Sequence, residues 1–199
     1  MKNYDLIWIG TGQATGTIIP RFVKAGKSIA IVEGDRFGGS CVNYGCTPTK
    51  TLVASARVAH VARRAADFGI NINSFEIDFK KVMKRQNDIR NKSSSGLKSW
   101  LESMNGVEIY QGYAQFEDEH RIRIGEEEIS GDTIVIHTGA RAQLPEIPGL
   151  NSVDWLDNVK LLDLEELPQH LVVLGGSYIG MELGQAFRRF GSEVTIIEK

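Results

Sequence analysis

Setting Gly10 against Gly175 brings Ile7, Ile9, Phe22, Gly26, Ile31 and Glu33 opposite Val172, Leu174, Phe187, Gly191, Ile196 and Glu198. In both copies a short apolar run ends in glycine, a helix-favouring segment and a second glycine follow, and another apolar run ends in an acid. The order reads strand, turn, helix, strand. Two such copies in 199 residues confine the chain to the α/β class, with two nucleotide-binding halves.

The turns carry the chemistry of the repeat. The first, Gly10 to Thr15, matches the dinucleotide fingerprint GxGxxG at two of its three glycines. Gly10 and Gly12 allow a tight turn and, with Gln13 and Ala14, let backbone N–H groups approach a pyrophosphate at a helix N-terminus. Thr15 stands where the third glycine would let helix and strand pack closely; Gly16 follows, and Pro20 is expected to kink the helix. Glu33 lies where an acid binds an adenosine ribose. The second turn, Gly175, Gly176, Ser177, Tyr178, Ile179, Gly180, keeps the first and third glycines and has Ser177 at the second. Glu198 favours a free ribose 2′-hydroxyl, hence NAD over NADP, because a carboxylate repels a 2′-phosphate.

Between the copies, Gly38 to Lys50 holds both cysteines of the chain, Cys41 and Cys46. Two helical cysteines five apart would be about 7.5 Å apart along the axis, beyond the usual disulfide reach of about 4.4–6.8 Å, so the segment must bend. Asn43 and Gly45 permit a bend, and Pro48 suggests a helix starting near Cys46, whose positive end would favour a thiolate. A lone pair in a reducing compartment is more readily catalytic or metal-binding than a structural staple. As a zinc half-site it lacks a second clustered pair of Cys or His, so no metal ligands are assigned. A reduced structural pair is the remaining alternative.

A net charge of -2, with 24% charged residues, gives no basis for nucleic-acid or anionic-membrane binding. No apolar run approaches the ~18 residues of a membrane span, and a strand-like segment beginning almost at Met1 leaves no room for a signal peptide. The expected location is cytoplasmic. Lys80 to Arg90 reads as a solvated helix face, and His60 as a helix-surface or packing residue.

Thr51 to Ala66 favours helix. A second helical stretch runs from Asp78 to about Met104, with Phe79, Val82, Met83, Ile89, Leu97, Trp100, Leu101 and Met104 as core and a break expected at Lys92 to Gly96. Short strands follow at Val107 to Tyr110, Tyr113 to Phe116, Arg121 to Ile124, Glu128 to Ile129 and Thr133 to Ile136, read as an antiparallel meander inserted in the α/β unit. Pro145, Pro148 and Gly149 mark a boundary between residues 1–149 and an incomplete second domain, 150–199.

The cysteine stretch, flanked by the two turns, resembles the redox-active disulfide motif of the FAD-dependent pyridine nucleotide-disulfide oxidoreductases. The resemblance implies a Rossmann-like FAD-binding domain followed by the start of a Rossmann-like NAD(P)-binding domain. Gly10, Gly12, Gln13, Ala14 and Thr15 would hold the FAD pyrophosphate and Glu33 its ribose, with Gly39 and Ser40 in the phosphate-contact segment. Gly112 and Ala114 look like the segment passing the adenine, and Thr138 and Gly139 like a second flavin-contact motif, in which alanine is commoner than His137. Cys41 would attack substrate and Cys46 would face the flavin. Lys50 and Glu182 match a lysine and glutamate that pair beside the flavin. Tyr178 matches the aromatic that covers the flavin, within the nicotinamide-nucleotide turn of Gly175, Ser177, Tyr178, Ile179 and Glu198.

The implied reaction passes electrons from NAD(P)H, with NADH favoured, through FAD to the cysteine pair and on to a small-molecule disulfide or soft metal ion. The motif is similar to that of mercuric reductases, and a dihydrolipoamide dehydrogenase-like enzyme is the alternative. Full members continue into a dimerisation domain and are homodimers. The chain thus reads as an N-terminal portion, with weak FAD binding and negligible turnover expected. The rival from another class is a non-catalytic nucleotide-binding module.

Overall fold

The apolar run before Gly10 forms the central strand of a sheet in a computed structural model that describes residues 1–199. In chain order the elements are β1 (Lys2–Ile9), α1 (Thr15–Lys24), β2 (Ile29–Glu33), α2 (Gly39–Asn43), α3 (Cys46–Arg63), α4 (Phe79–Glu102), β3 (Val107–Gln111), β4 (Ala114–Phe116), β5 (Arg121–Ile124), β6 (Glu127–Ile136), α5 (Asn158–Leu161), β7 (His170–Leu174), α6 (Tyr178–Phe190) and β8 (Glu193–Ile197). They form two units, Met1–Gly45 with Arg90–Pro145, and Cys46–Ile89 with Glu146–Lys199.

The first unit is a six-stranded sheet of order β3-β2-β1-β6-β5-β4. Strands β3, β2, β1 and β6 are mutually parallel; β6-β5 and β5-β4 are antiparallel. All five residues of β2 are buried, as expected of a strand inside a parallel sheet covered on both faces. Leu6, Trp8, Ile19, Ile29, Ile31, Phe37 and Leu101 form the core on one face, and Tyr4, Ile7, Ile9, Ala30, Val32 and the apolar residues of β5 and β6 that on the other.

Two strand expectations are corrected. Val107–Gln111 is not part of a meander but the parallel edge strand beside β2. Glu128–Ile129 and Thr133–Ile136 are one ten-residue strand, whose first part pairs with β5 and whose remainder pairs with β1. Gly131, which reads as a turn residue, lies within it because a Cβ there would come 2.7 Å from the Ile7 side chain.

The helices differ from expectation in three places. Helix α4 runs unbroken through Lys92–Gly96; the Ser95 hydroxyl bonds back to the Asn91 and Lys92 carbonyls, and burial of Leu101 anchors the last turns. Trp100 is 42% exposed rather than core. Helix α1 contains Pro20, in line with the helical segment expected there, whereas α3 stops at Arg63 before a 3-10 turn, Ala65–Phe68.

In the second unit β7 and β8 form a two-stranded parallel sheet. Leu183, Ala186, Phe187 and Phe190 of α6 pack with Leu52 and Ala56 of α3 and with Phe79 and Met83 of α4. Phe79, Phe187 and Phe190 form a tilted to edge-on aromatic trio with centroids 5.8–6.3 Å apart, a geometry favoured by the ring quadrupoles. Val172, Leu174 and Ile197 remain about half exposed. No helix is long and apolar enough to cross a membrane.

Candidate functional site

The four parallel strands of the first unit bring their carboxyl ends to one edge, where open α/β sheets bind ligands. Backbone bonds tie this edge together: Gly10 N–H donates to Val32 O (2.7 Å), His137 N–H to Ile9 O (2.8 Å), and Gly112 N–H to Glu33 O (2.8 Å). The edge therefore gathers the turn Gly10–Thr15, Glu33, Gly112 beside Ala114, and His137 with Thr138 and Gly139.

Space in the turn is reserved for backbone. Gly10 has φ +97°, and a Cβ on it would overlap His137 O at 2.2 Å. Gly39 has φ +60°, and its Cβ would fall 2.8 Å from the Gly12 Cα, so the segment opening the cysteine stretch lies directly on the turn. The N–H groups of Gly12, Gln13 and Ala14 donate to no backbone carbonyl; such groups at a helix start are the usual anion donors. These features fit a dinucleotide pyrophosphate.

Glu33 is buried and already held. Its Oε2 accepts from Thr11 N–H (2.9 Å) and from the Thr11 hydroxyl, and its Oε1 accepts from Asp35 N–H (2.9 Å). A carboxylate has about four acceptor positions, so Oε1 keeps one for a ligand hydroxyl. Thr11 was not among the residues singled out from the sequence. Its hydroxyl, 1% exposed as a residue, also accepts from Gly38 N–H at 2.9 Å, joining turn, strand end and cysteine stretch.

Thr15 is accounted for by Trp8. The side chain is fully buried, and its Oγ1 accepts from the Trp8 indole N–H at 3.0 Å. In the second unit Gly180 holds the equivalent position, where a Cβ would meet Gly175 O at 2.2 Å. Helix α6 begins at Tyr178, whereas α1 begins only at Thr15, two positions later in the repeat, as expected where a side chain replaces the close-packing glycine.

The second turn repeats one backbone contact of the first at its acid. Glu198 Oε2 accepts from Gly176 N–H as Glu33 does from Thr11 N–H, and Gly175 N–H donates to Ile197 O at 2.9 Å. Ser177 is the N-cap of α6 without a side-chain capping bond. Tyr178 is 77% exposed and Ile179 50%, both open for contact.

The cysteine stretch bends differently from the expectation. Gly38 and Gly39 take positive φ, and Asn43 is not a loosening residue but a buried anchor in α2. Its Nδ2 donates to Phe37 O (3.0 Å) and Gly39 O (3.1 Å). Gly45 serves close approach, since a Cβ would come 3.0 Å from Ser40 O. Ser40 is exposed and Cys41 half-buried, both in α2; Cys46 is exposed as the first residue of α3, with Pro48 in its first turn. Tyr44, which follows α2, donates to Asp35 Oδ2 at 2.7 Å; burial, reinforced by that bond, pushes its phenol up to about 12.

Within the second unit, Lys50 and Glu182 form an ion pair. Lys50 lies one turn after Cys46 on α3, and Glu182 one turn after Tyr178 on α6, so each helix presents two of these residues on one face.

Comparison with known proteins finds relatives that match nearly the whole chain. The family model described as pyridine nucleotide-disulphide oxidoreductase matches residues 4–199. The chain is 35% identical over 197 residues to a mercuric reductase of Bacillus cereus, covering 99% of this chain and 31% of that protein. It is 36% identical to a dihydrolipoyl dehydrogenase of Thermus scotoductus, covering 100% and 42%. The Cu(II) complex of the HOCl-induced flavoprotein disulfide reductase RclA from Escherichia coli superposes with a TM-score of 0.86 at 36% identity, covering 100% of this chain and 43% of that one. The chain thus spans less than half the length of these relatives. It belongs to the pyridine nucleotide-disulphide oxidoreductase family.

Proposed function

We propose that the chain is the N-terminal portion of a flavin-dependent disulfide oxidoreductase in which Cys41 and Cys46 form the redox pair. The observation that carries this reading is the position of Cys46, exposed at the N-terminus of α3 and one turn from the Lys50–Glu182 ion pair. The thiolate is the reactive form of a cysteine, and an exposed sulfur is open to a small disulfide.

Residues of the first turn would hold FAD. Gly12, Gln13 and Ala14 offer N–H groups to the pyrophosphate, Glu33 Oε1 accepts a ribose hydroxyl, and Gly39 keeps the approach clear beside Ser40. When bound, FAD supplies the two-electron relay that returns the cysteine pair from disulfide to dithiol at the expense of NAD(P)H. In the second turn, Gly176 fixes Glu198 so that its carboxylate suits a ribose 2′-hydroxyl, which supports NADH as the preferred donor. Gly112 and Ala114 line the adenine side, and Thr138 and Gly139 the opposite side of the turn.

The cysteine chemistry balances without further groups. The Cys41 thiolate attacks an acceptor disulfide RSSR; the Cys41–S–R bond forms, the RS–SR bond breaks, and RS⁻ leaves to take a proton. The Cys46 thiolate then attacks the Cys41 sulfur, expelling the second RS⁻ and closing the Cys41–Cys46 disulfide. Two electrons pass from the pair to two RSH. The same two thiolates suit a soft metal ion, and the similarity to both mercuric reductases and dihydrolipoyl dehydrogenases supports either acceptor class. A reducing, cytoplasmic setting suits this chemistry.

The test is flavin titration of the purified chain with fluorescence quenching as readout. Saturable FAD binding that Gly12→Val abolishes supports the reading, since a side chain at Gly12 collides with the turn's neighbours. A chain that never binds FAD overturns it for these residues and leaves the non-catalytic module.

A further inference from the structure

The stretch Lys80 to Arg90, read from the sequence as a solvated helix face, ends in a buried cation: Arg90 on α4 is 4% exposed. A guanidinium keeps its charge, and burying it is costly unless acceptors meet it. One acceptor is the main-chain carbonyl of Asn43, which takes a bond from Arg90 Nη1 at 3.4 Å. Asn43 is the last residue of α2, where free carbonyls favour a cation, and it lies in the link between Cys41 and Cys46. That link folds back on itself. Tyr44 N–H donates to Ser40 O at 2.7 Å, and a Cβ on Gly45 would lie 3.0 Å from Ser40 O and 3.4 Å from the Cys41 Cα. The residue before Cys46 therefore rests against the backbone of Cys41. Asn43 is held in this bend from two sides, by its Nδ2 on the Phe37 and Gly39 carbonyls and by Arg90 on its own carbonyl. Arg90, α2 and the link through Gly45 all belong to the first unit.

We infer that Arg90 is a positioning residue of the redox pair: by fixing the Asn43 carbonyl it keeps the Val42–Gly45 link in the bend that favours closure of the Cys41–Cys46 disulfide. This rests on the redox reading above and adds to it a residue of α4 that touches neither sulfur's acceptor nor the nucleotide turns. Two groups on a short flexible link meet at an effective concentration in the millimolar range. Holding the link in its bend spares part of the ordering that closure requires, so the disulfide forms more readily and resists reduction. Against glutathione the exchange balances: the dithiol gives two electrons and two protons to one glutathione disulfide, which leaves as two glutathione thiols.

Three substitutions separate positioning from packing. Arg90→Met keeps an apolar stem and removes the donor, Arg90→Gln shortens the side chain by two atoms and removes the charge, and Arg90→Lys keeps a cationic donor for the single carbonyl. The midpoint of the Cys41–Cys46 pair is measured for the full chain and each variant in glutathione buffers, with urea unfolding as a separate readout of stability. The disulfide equilibrium constant should fall about tenfold in Arg90→Met and Arg90→Gln, a midpoint about 30 mV less negative, and stay within about threefold of wild type in Arg90→Lys. A purely structural arginine would lower urea stability and leave the midpoint in place, and that result overturns the inference. A midpoint that becomes more negative in Arg90→Met overturns it as well, and so does failure of both neutral variants to fold, which assigns Arg90 to the fold. Each of these leaves the redox reading intact, whereas a wild-type chain that never forms the Cys41–Cys46 disulfide overturns both.

Discussion

Replacing Thr11 by valine removes a single hydroxyl and keeps the shape of the side chain, so its effect isolates the bonds that join the first turn to its neighbours. The hydroxyl donates to the Glu33 carboxylate and accepts from Gly38 N–H at 2.9 Å, at a position 1% exposed. A hydrogen bond to an ionised group contributes about 1.5–3 kcal/mol, and a buried N–H left without an acceptor costs about 1–3 kcal/mol. Both losses occur together in one network, so they do not add fully; the expected destabilisation is about 3 kcal/mol. Thr11→Ser keeps the hydroxyl and loses one buried methyl, for about 1 kcal/mol. Urea unfolding in a Trp155→Phe background, followed by the fluorescence of Trp8 and Trp100, both in the first unit, measures the difference. A Thr11→Val loss below 1 kcal/mol, or equal to that of Thr11→Ser, would refute the idea that this hydroxyl fastens the turn to the cysteine stretch.

Glycine positions give a second, signed prediction. Gly180→Ala places a Cβ 2.2 Å from a backbone oxygen and should lower the stability of the second unit by about 1–3 kcal/mol in urea unfolding. Gly96→Ala, with nothing within 4 Å in the middle of α4, should instead raise stability by roughly 0.5–1 kcal/mol; the same sign for both would contradict the packing described. The Lys50–Glu182 pair has a 65% exposed lysine side chain, so Glu182→Gln should change stability by less than about 1 kcal/mol, and a larger loss would mean the pair is structural. Tyr44 carries a phenol raised to about 12 against about 10 in an unfolded chain. The folded state therefore holds this proton more tightly, and its contribution is fully present below about pH 10 and lost as pH rises toward 12. In stability measurements across that window, Tyr44→Phe should flatten the decline, and an unchanged slope would contradict the shift.

The repeat was the most legible part of the sequence, because each copy pairs a first-turn N–H with a strand-end acid, Thr11 with Glu33 and Gly176 with Glu198. The helix start at Cys46 was legible from Pro48, whose ring suits a first turn. Lys50 and Glu182 lie 132 positions apart, and no local pattern connects them; they emerged through resemblance alone. Strand β6 was misread as two because Gly131 signals a turn locally, while the need for it comes from Ile7 on the neighbouring strand. Strand β3 was misassigned because five residues of β-favouring sequence carry no record of whether their partner runs parallel. Helix α4 survives its serine-glycine run because burial of Met83 and Leu101 on either side of it outweighs a propensity deficit of order 1 kcal/mol. Thr15 and His137 stand apart as departures from the usual motif residues along the chain, and their shared contact with Trp8 emerges only when β1 and β6 are paired.

The claim on which the account turns is that Cys41 and Cys46 interconvert as a pair. Its most direct measurement is alkylation of the native chain followed by peptide mass spectrometry, after equilibration in glutathione buffers spanning roughly -150 to -320 mV. The account predicts that both cysteines lose their label together as the buffer becomes more oxidising, with a Cys41–Cys46 disulfide-linked peptide appearing in their place. Two cysteines that stay alkylated throughout, or that react only with glutathione, would contradict it.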